Sequence, residues 1–143
     1  MITAFVDPLP SLETRFALYR TASRRVKDAA EAFGLRQIPL QESEAANGMT
    51  ALYFPPNVAA SDLIPRLLKR GVVVAGGLHV EIKGQLNFIA TKLSMLNYPK
   101  DTYFRIGHMG ISVVETSRGD VDKIISALGE ALQEIQEKKG SNH

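Results

Sequence analysis

The sequence predicts an α+β fold, in which a small and mostly antiparallel sheet has helices packed on one face. Two observations predict it. Short apolar runs typical of strands lie between segments whose apolar residues recur at helical spacing, in the order helix, strand, helix, strand, strand, helix. The chain has 143 residues, of which 45% are hydrophobic and 22% charged, and this is enough for one domain with a buried core.

Three segments have the apolar periodicity of amphipathic helices. Ser11 can cap the first, which is long enough to reach beyond the domain and ends before Gly34. The second begins at Ser61 and ends at Gly71, and Asp120 caps the third. The three apolar stripes are Leu12, Phe16, Tyr19, Ala22, Val26, Ala29, Ala30 and Phe33; Leu63, Ile64, Leu67 and Leu68; and Val121, Ile124, Ile125, Leu128, Ala131, Leu132 and Ile135.

Four runs are predicted to be extended. Residues 49–54, 72–75 and 102–106 are short and rich in β-branched or aromatic side chains, so each predicts a strand. Residues 111–114 are expected to continue the last of these beyond a glycine-rich turn. The polar residues 41–48 predict a surface loop.

The composition and charge exclude several classes of protein. No cysteine is present, which excludes disulfide scaffolds, thiolate catalysis and cysteine-built zinc sites. Lys and Arg number 17 against 15 for Asp and Glu, and a net charge of +2 requires no nucleic-acid partner. No apolar run is long enough to cross a membrane, and the first residues do not resemble a signal peptide. We therefore expect a protein of the cytoplasm or of an organelle matrix, such as that of a peroxisome or mitochondrion, and not a secreted one.

The polar side of the first helix is basic. It could bind nucleic acid, but Glu13, Asp28 and Glu31 are interspersed and no aromatic platform accompanies it. A solvated or interface face is the favoured interpretation. The basic residues are Arg15, Arg20, Arg24, Arg25 and Lys27.

The most unusual local feature is the hexapeptide Arg-Ile-Gly-His-Met-Gly at residues 105–110, at the end of a predicted strand. The guanidinium of Arg105 is always charged and can bind both oxygens of a carboxylate as a planar fork, and the glycines would let a ligand approach. Arg105 could instead pair with an internal Asp or Glu. The residue types alone leave both interpretations open.

The three histidines are weaker candidates. His108 could act as a general base, but no acid partner is evident in the sequence, and a structural role is favoured. His79 and His143 have no motif around them, and no His-x-x-x-His pair is present, so no metal site is expected. Gly76 and Gly77 lack the further glycine and the helix start of a dinucleotide-binding turn, and a tight turn is the better explanation.

Residues 71–79 and 103–110 together resemble the C-terminal small domain of class V aminotransferases, in particular the alanine–glyoxylate and serine–glyoxylate aminotransferases. These are pyridoxal-phosphate enzymes of the aspartate-aminotransferase fold. The resemblance spans residues 11–135. It identifies residues 1–35 as an N-terminal segment with the helix that links two domains, and residues 36–143 as the small domain.

The resemblance implies a function and a site. Arg105 takes the role of the arginine that binds the substrate carboxylate, and Gly76, Gly77 and Gly107 shape the pocket. The complete enzyme would be a homodimer that transfers an amino group from alanine or serine to glyoxylate and uses pyridoxal 5′-phosphate. The family's Schiff-base lysine and other cofactor ligands belong to its large domain. No catalytic or cofactor-binding residue is therefore expected in this chain, and whether it is an enzyme by itself is left open.

The sequence also departs from the family's pattern. Residues 83–99 resemble an insertion between the glycine turn and the arginine strand. We therefore expect a fragmentary or mis-spliced gene product that is inactive alone. The alternative function is that of an inactive fragment that binds a carboxylate or associates with another subunit.

Overall fold

The first helix, α1, comprises Leu12–Ala32 in the computed structural model, which describes residues 9–76 and 103–141. The Ser11 hydroxyl accepts a hydrogen bond from the backbone N–H of Thr14, as expected of an N-cap. Beyond the helix, Gly34 has a φ of +77°, a left-handed conformation that glycine adopts without strain. The predicted start and end of this helix are confirmed.

Only part of the predicted apolar stripe of α1 is well buried, and Phe33 at its end is 39% exposed. Ala22, Val26 and Ala30 lie in the core, whereas Leu12 and Phe16 are 54% and 49% exposed. The first turns of α1 therefore leave much of their apolar surface open to solvent.

Three antiparallel strands form one sheet in the order β1-β3-β2. β1 is Met49–Tyr53, β2 is Ala75–Gly76 and β3 is Tyr103–Gly107. Because β3 lies in the middle, its residues have neighbours on both sides. The strands predicted at 49–54 and 102–106 are confirmed to within a residue or so at their ends.

The strand predicted at 72–75 is wrong in its extent. Only Ala75 and Gly76 pair with β3. Val72 and Val74 are buried in the core without joining the sheet, and Val73 is largely exposed. A short apolar run indicates burial, but by itself it does not indicate pairing with another strand.

The second helix, α2, is Ala60–Lys69, and Gly71 follows it with a φ of +78°. Leu63 and Leu67 are buried as predicted, but Leu68 is 59% exposed. Successive helical residues are rotated by about 100°, so the residue after Leu67 is turned away from the face that packs on the core. The assignment of Leu68 to the buried stripe is therefore wrong.

Residues 111–114 are not extended, and this prediction is wrong. They form a single helical turn, α3, Ile111–Val114. The Gly110 carbonyl accepts hydrogen bonds from the N–H groups of Val113 and Val114, at 3.1 and 3.0 Å. The φ of +68° at Gly110 turns the chain, and burial of the Val113 side chain overrides the strand preference of β-branched residues.

The last helix, α4, is Asp120–Gly140, and its predicted apolar stripe is buried or half-buried against the core. The predicted capping role of Asp120 is wrong. Gly119 occupies the N-cap position with a φ of +64°, and Asp120 is the first helical residue. Its carboxylate accepts a hydrogen bond from Arg118 at 2.8 Å instead of capping the helix.

The core lies on one face of the sheet, which we call the inner face. α1 packs against β1, and α4 packs against both α1 and α2. The buried residues of the inner face are Thr50, Leu52, Phe104 and Ile106. Because successive strand residues point to opposite faces, the outer face carries the alternate positions. These are Ala51, Tyr53, Ala75, Tyr103 and Arg105. The predicted α+β class is confirmed.

The remaining predictions on organisation concern loops and boundaries. The polar loop at 41–48 is confirmed and contains a short 3₁₀ turn, Glu42–Glu44. Residues 83–99, predicted to be an insertion, lie outside the described residues, and the division at residue 35 stays a prediction. None of the helices described is long and apolar enough to cross a membrane.

Replacing Gly71 with Ala is expected to lower the free energy of unfolding by about 1–2 kcal/mol, because a side chain disfavours the left-handed conformation. An added Cβ would meet no atom within 4 Å, so the loss is conformational and not steric. Gly140→Ala is the control, since it has open space and no positive φ. Urea denaturation of both variants tests this, and equal midpoints would contradict it.

Candidate functional site

Arg105 lies at the centre of the outer face of the sheet. Its position on β3 is paired with Ala51 of β1 on one side and with Ala75 of β2 on the other. Cross-strand neighbours have Cβ atoms about 5 Å apart, so the size of these neighbours decides how much room a side chain has. Because both register partners are alanines, neither Ala51 nor Ala75 crowds the Arg105 side chain.

A backbone hydrogen bond orients the guanidinium of Arg105. Its Nε donates to the carbonyl oxygen of Gly76 at 3.3 Å, and the side chain is half-buried. The predicted alternative, an internal ion pair, is not formed with any Asp or Glu within residues 9–76 and 103–141. The two terminal nitrogens thus carry a charge that no described carboxylate balances.

The glycines predicted to shape the pocket lie beside Arg105. Gly76 accepts its hydrogen bond, and Gly107 ends the same strand. A Cβ built on either glycine meets no atom of the described residues within 4 Å. Gly77 lies outside the described residues. The pocket-shaping role of all three stays a prediction.

The outer face also carries aromatic residues and a second arginine, which sequence reasoning missed. Tyr53 and Tyr103 are register partners next to Ala51 and Arg105. The guanidinium carbon of Arg36 lies 4.5 Å from the centroid of the Tyr53 ring, in a cation–π contact. Alternation along β1 could have placed Tyr53 on this face, but nothing local indicates the contact with Arg36.

His108 is buried on the inner side and not beside Arg105. It is 0% exposed, and its Nε2 lies 2.7 Å from the Thr50 hydroxyl. Burial lowers its pKa and the charge of Lys27 lowers it further, whereas backbone groups of His108 and Asn47 act in the opposite direction. No described group meets its Nδ1 at ordinary hydrogen-bond geometry. This environment favours the structural role that the sequence predicts over a general base.

Lys27 was predicted to lie on the polar side of α1, and this is wrong. It is only 9% exposed, and its Nζ donates to the carbonyl oxygen of Ala46 at 2.8 Å. Ser23 donates to the same oxygen at 3.4 Å. Burial lowers the pKa of Lys27, and the carboxylate of Glu42 opposes that shift. Sequence reasoning missed this buried polar group because a lysine at this spacing resembles a surface residue.

The described residues offer little to hold a metal or a cofactor. Within them, no three His, Asp or Glu side chains come together as a metal site would require. The lysines of this part lie on helices and none on a strand: Lys27, Lys69, Lys123, Lys138 and Lys139. None is thus in the sheet that presents Arg105, and the described residues do not fit a pyridoxal phosphate. His79 and His143 lie outside the described residues.

No protein-family model matches the chain, and no curated protein matches it. Several solved structures do match the chain. Aspartate aminotransferase of subgroup IV from Thermus thermophilus matches 87% of this chain at 25% identity with a TM-score of 0.61. Ureidoglycine–glyoxylate aminotransferase from Bacillus subtilis matches 87% of this chain at 22% identity with a TM-score of 0.64. Alanine–glyoxylate aminotransferase from Nostoc sp. matches 85% of it at 21% identity with a TM-score of 0.63.

These matches confirm the predicted resemblance at the level of the fold. The chain has the fold of an aminotransferase small domain, in which a small antiparallel sheet packs against helices. It spans 28% of the length of the Thermus thermophilus enzyme and 27% of the other two.

Proposed function

We propose that this chain supplies the small domain of an aminotransferase and that Arg105 binds the carboxylate of the amino or keto acid substrate. The observation that carries the proposal is the placement of Arg105. It stands at the centre of a half-exposed sheet face, between two alanines, without a carboxylate partner among the described residues. The fold shared with aminotransferases supports the class of substrate.

The geometry suits the recognition of a planar anion. The hydrogen bond from Nε to Gly76 restrains the plane of the guanidinium, and we propose that the terminal nitrogens, which have no hydrogen-bond partner among the described residues, bind the ligand. A charge-assisted contact of this kind contributes about 1.5–3 kcal/mol. Arg105 would thus hold and orient the carboxylate end of the substrate, and the neighbouring glycines would keep the approach open.

In the complete enzyme we propose transfer of an amino group from alanine or serine to glyoxylate. Pyridoxal 5′-phosphate would supply the electron sink for this chemistry. The described residues of this chain do not fit that cofactor, and their part is restricted to binding and orienting the substrate. The complete enzyme is proposed to be a homodimer.

The second candidate is an inactive module that associates with another subunit. The exposed apolar side chains of Leu12 and Phe16 on α1, and of Ile111 on α3, favour it. Both candidates allow a carboxylate to bind at Arg105, which the second does not require. They differ in whether a further domain that bears the lysine completes the site.

Titration of the chain with pyruvate tests the role of Arg105. The Nε–Hε cross-peak of Arg105 in proton–nitrogen NMR spectra should shift, and Arg105→Gln should weaken binding by about 10- to 150-fold, which corresponds to the loss of one charge-assisted contact. Arg24→Gln, at an exposed arginine of α1, is the matched control and should bind as the wild type does. Unchanged binding by Arg105→Gln would refute the proposal.

A further inference from the structure

Asn47 and Gly48 form the end of the loop at 41–48, just before β1, and neither lies in a helix or a strand. Asn47 is exposed, and its side-chain amide forms no hydrogen bond within the described part of the chain. The backbone N–H of Gly48 likewise donates to no described group. An exposed amide side chain is thus followed directly by a free backbone N–H.

The carbonyl groups on either side of this pair are anchored. The Ala46 carbonyl accepts a hydrogen bond from Nζ of the buried Lys27 at 2.8 Å, which ties the loop to α1. The Gly48 carbonyl accepts a hydrogen bond from the backbone N–H of His108 at 3.0 Å, just beyond the end of β3. Asn47 therefore lies between two attachments of the loop to the rest of the fold.

The free groups of Asn47 and Gly48 can react with each other. The nitrogen of Gly48 attacks the side-chain carbonyl carbon of Asn47 and forms a C–N bond, while the bond from that carbon to the amide nitrogen breaks. The amide nitrogen leaves as ammonia and takes the proton of the Gly48 nitrogen. Water then opens the cyclic imide at either of its carbonyls, which gives aspartate or isoaspartate. Glycine favours the attack because it has no Cβ and its backbone turns freely.

We propose that Asn47 is a modification site, at which spontaneous loss of ammonia gives isoaspartate and aspartate, and that the isoaspartate form loosens the end of the loop. Isoaspartate routes the main chain through the side-chain carbons and so lengthens it by one atom between the anchored carbonyls of Ala46 and Gly48. The hydrogen bonds to these carbonyls should weaken as a result. The proposal does not depend on the role of Arg105.

Mass spectrometry of the full chain after incubation in warm, mildly alkaline buffer tests the modification. Asn47 should change from amide to acid about tenfold faster than Asn57 or more. Asn57 is the internal control, because it is also exposed but precedes the β-branched Val58, whose N–H is already bonded to the Pro55 carbonyl at 3.1 Å. Both asparagines lie in the tryptic peptide 37–66, so fragment ions assign the change.

Gly48→Ala tests the part played by the glycine. The variant should slow the reaction at Asn47 by about tenfold and leave that at Asn57 unchanged. An added Cβ would come within 2.9 Å of Cε of Met109, the far end of an exposed and flexible side chain, so the variant should fold. Equal rates at the two asparagines, or a variant that reacts as fast as the wild type, would overturn the modification site.

Hydrogen exchange of the aged protein, in which the isoaspartate form has been separated from the unmodified one, tests the loosening. The backbone amide of His108, which donates to Gly48, should exchange about tenfold faster in the isoaspartate form. The amide of Val72, which donates to the Leu67 carbonyl at 3.0 Å away from this loop, should exchange at the same rate in both forms. Unchanged exchange at His108 would overturn the claim that the modification loosens the loop.

Discussion

Replacing Phe104 with Ala is expected to lower the free energy of unfolding by about 3–5 kcal/mol, a large part of the stability of a small domain. Phe104 is 0% exposed and is paired with Leu52, which is buried equally. Its ring centroid lies 5.0 Å from that of Phe54. Truncation would remove apolar contacts beneath the central strand and leave a cavity that the surrounding helices can fill only in part.

Urea denaturation followed by circular dichroism measures this effect. Phe16→Ala is the matched control, because the same side chain is removed from a position that is 49% exposed on a helix, where alanine is a good helix former. The control should differ from the wild type by less than about 1 kcal/mol. Equal losses for the two variants would contradict the description of the core.

Elements with strong local signals could be predicted from the sequence. The capping serine and the terminal glycine of α1 act within one turn of the helix, and the stripe of α4 repeats over several turns. The helical turn at Ile111–Val114 could not be predicted in this way. Its residues prefer strands, and only the conformation of Gly110 and the burial of Val113 make them helical.

Part of the candidate site could be predicted from the sequence, namely Arg105 and the neighbouring Gly76 and Gly107, but its aromatic and cationic surroundings could not. Arg105 stands in a distinctive hexapeptide, so the sequence alone indicated it. Arg36 and Tyr53 come together only because residues 36–38 pair with the edge of β1. Likewise, Lys27 becomes a buried residue only because the chain brings the Ala46 carbonyl to it from 19 residues away. Such contacts depend on tertiary pairing that no periodicity of the sequence encodes.

The second large effect is expected from pH. Lowering the pH from 8 to 5 should destabilise the protein through His108, which is buried against Thr50 of β1 and near Lys27 of α1. Burial lowers the pKa of His108 in the folded state below the value of 6.5 that applies to the unfolded chain. Between these two pKa values the unfolded state binds the additional proton. The free energy of unfolding therefore falls as the pH falls, by up to about 1.4 kcal/mol per pH unit.

The other groups of the described residues whose pKa values are shifted do not cancel this effect. Burial also lowers the pKa of Lys27 below 10.5, so between its folded pKa and 10.5 its contribution to stability likewise rises with pH and does not oppose that of His108. The pKa values of Asp120 and Glu134 are lowered by hydrogen bonds from Arg118 and Arg70. Their stabilising contribution is lost mainly below about pH 4.5, which the chosen range avoids.

Urea denaturation at several pH values between 5 and 8 measures the slope for the wild type and for His108→Gln. Glutamine can still hydrogen-bond the Thr50 hydroxyl but does not titrate, so this variant should lose most of the dependence on pH. Ile135→Val, which loses one methyl group from a buried position, controls for lower stability as such and should keep the wild-type slope. A slope that survives in His108→Gln would show that the buried imidazole does not control the acid sensitivity of the fold.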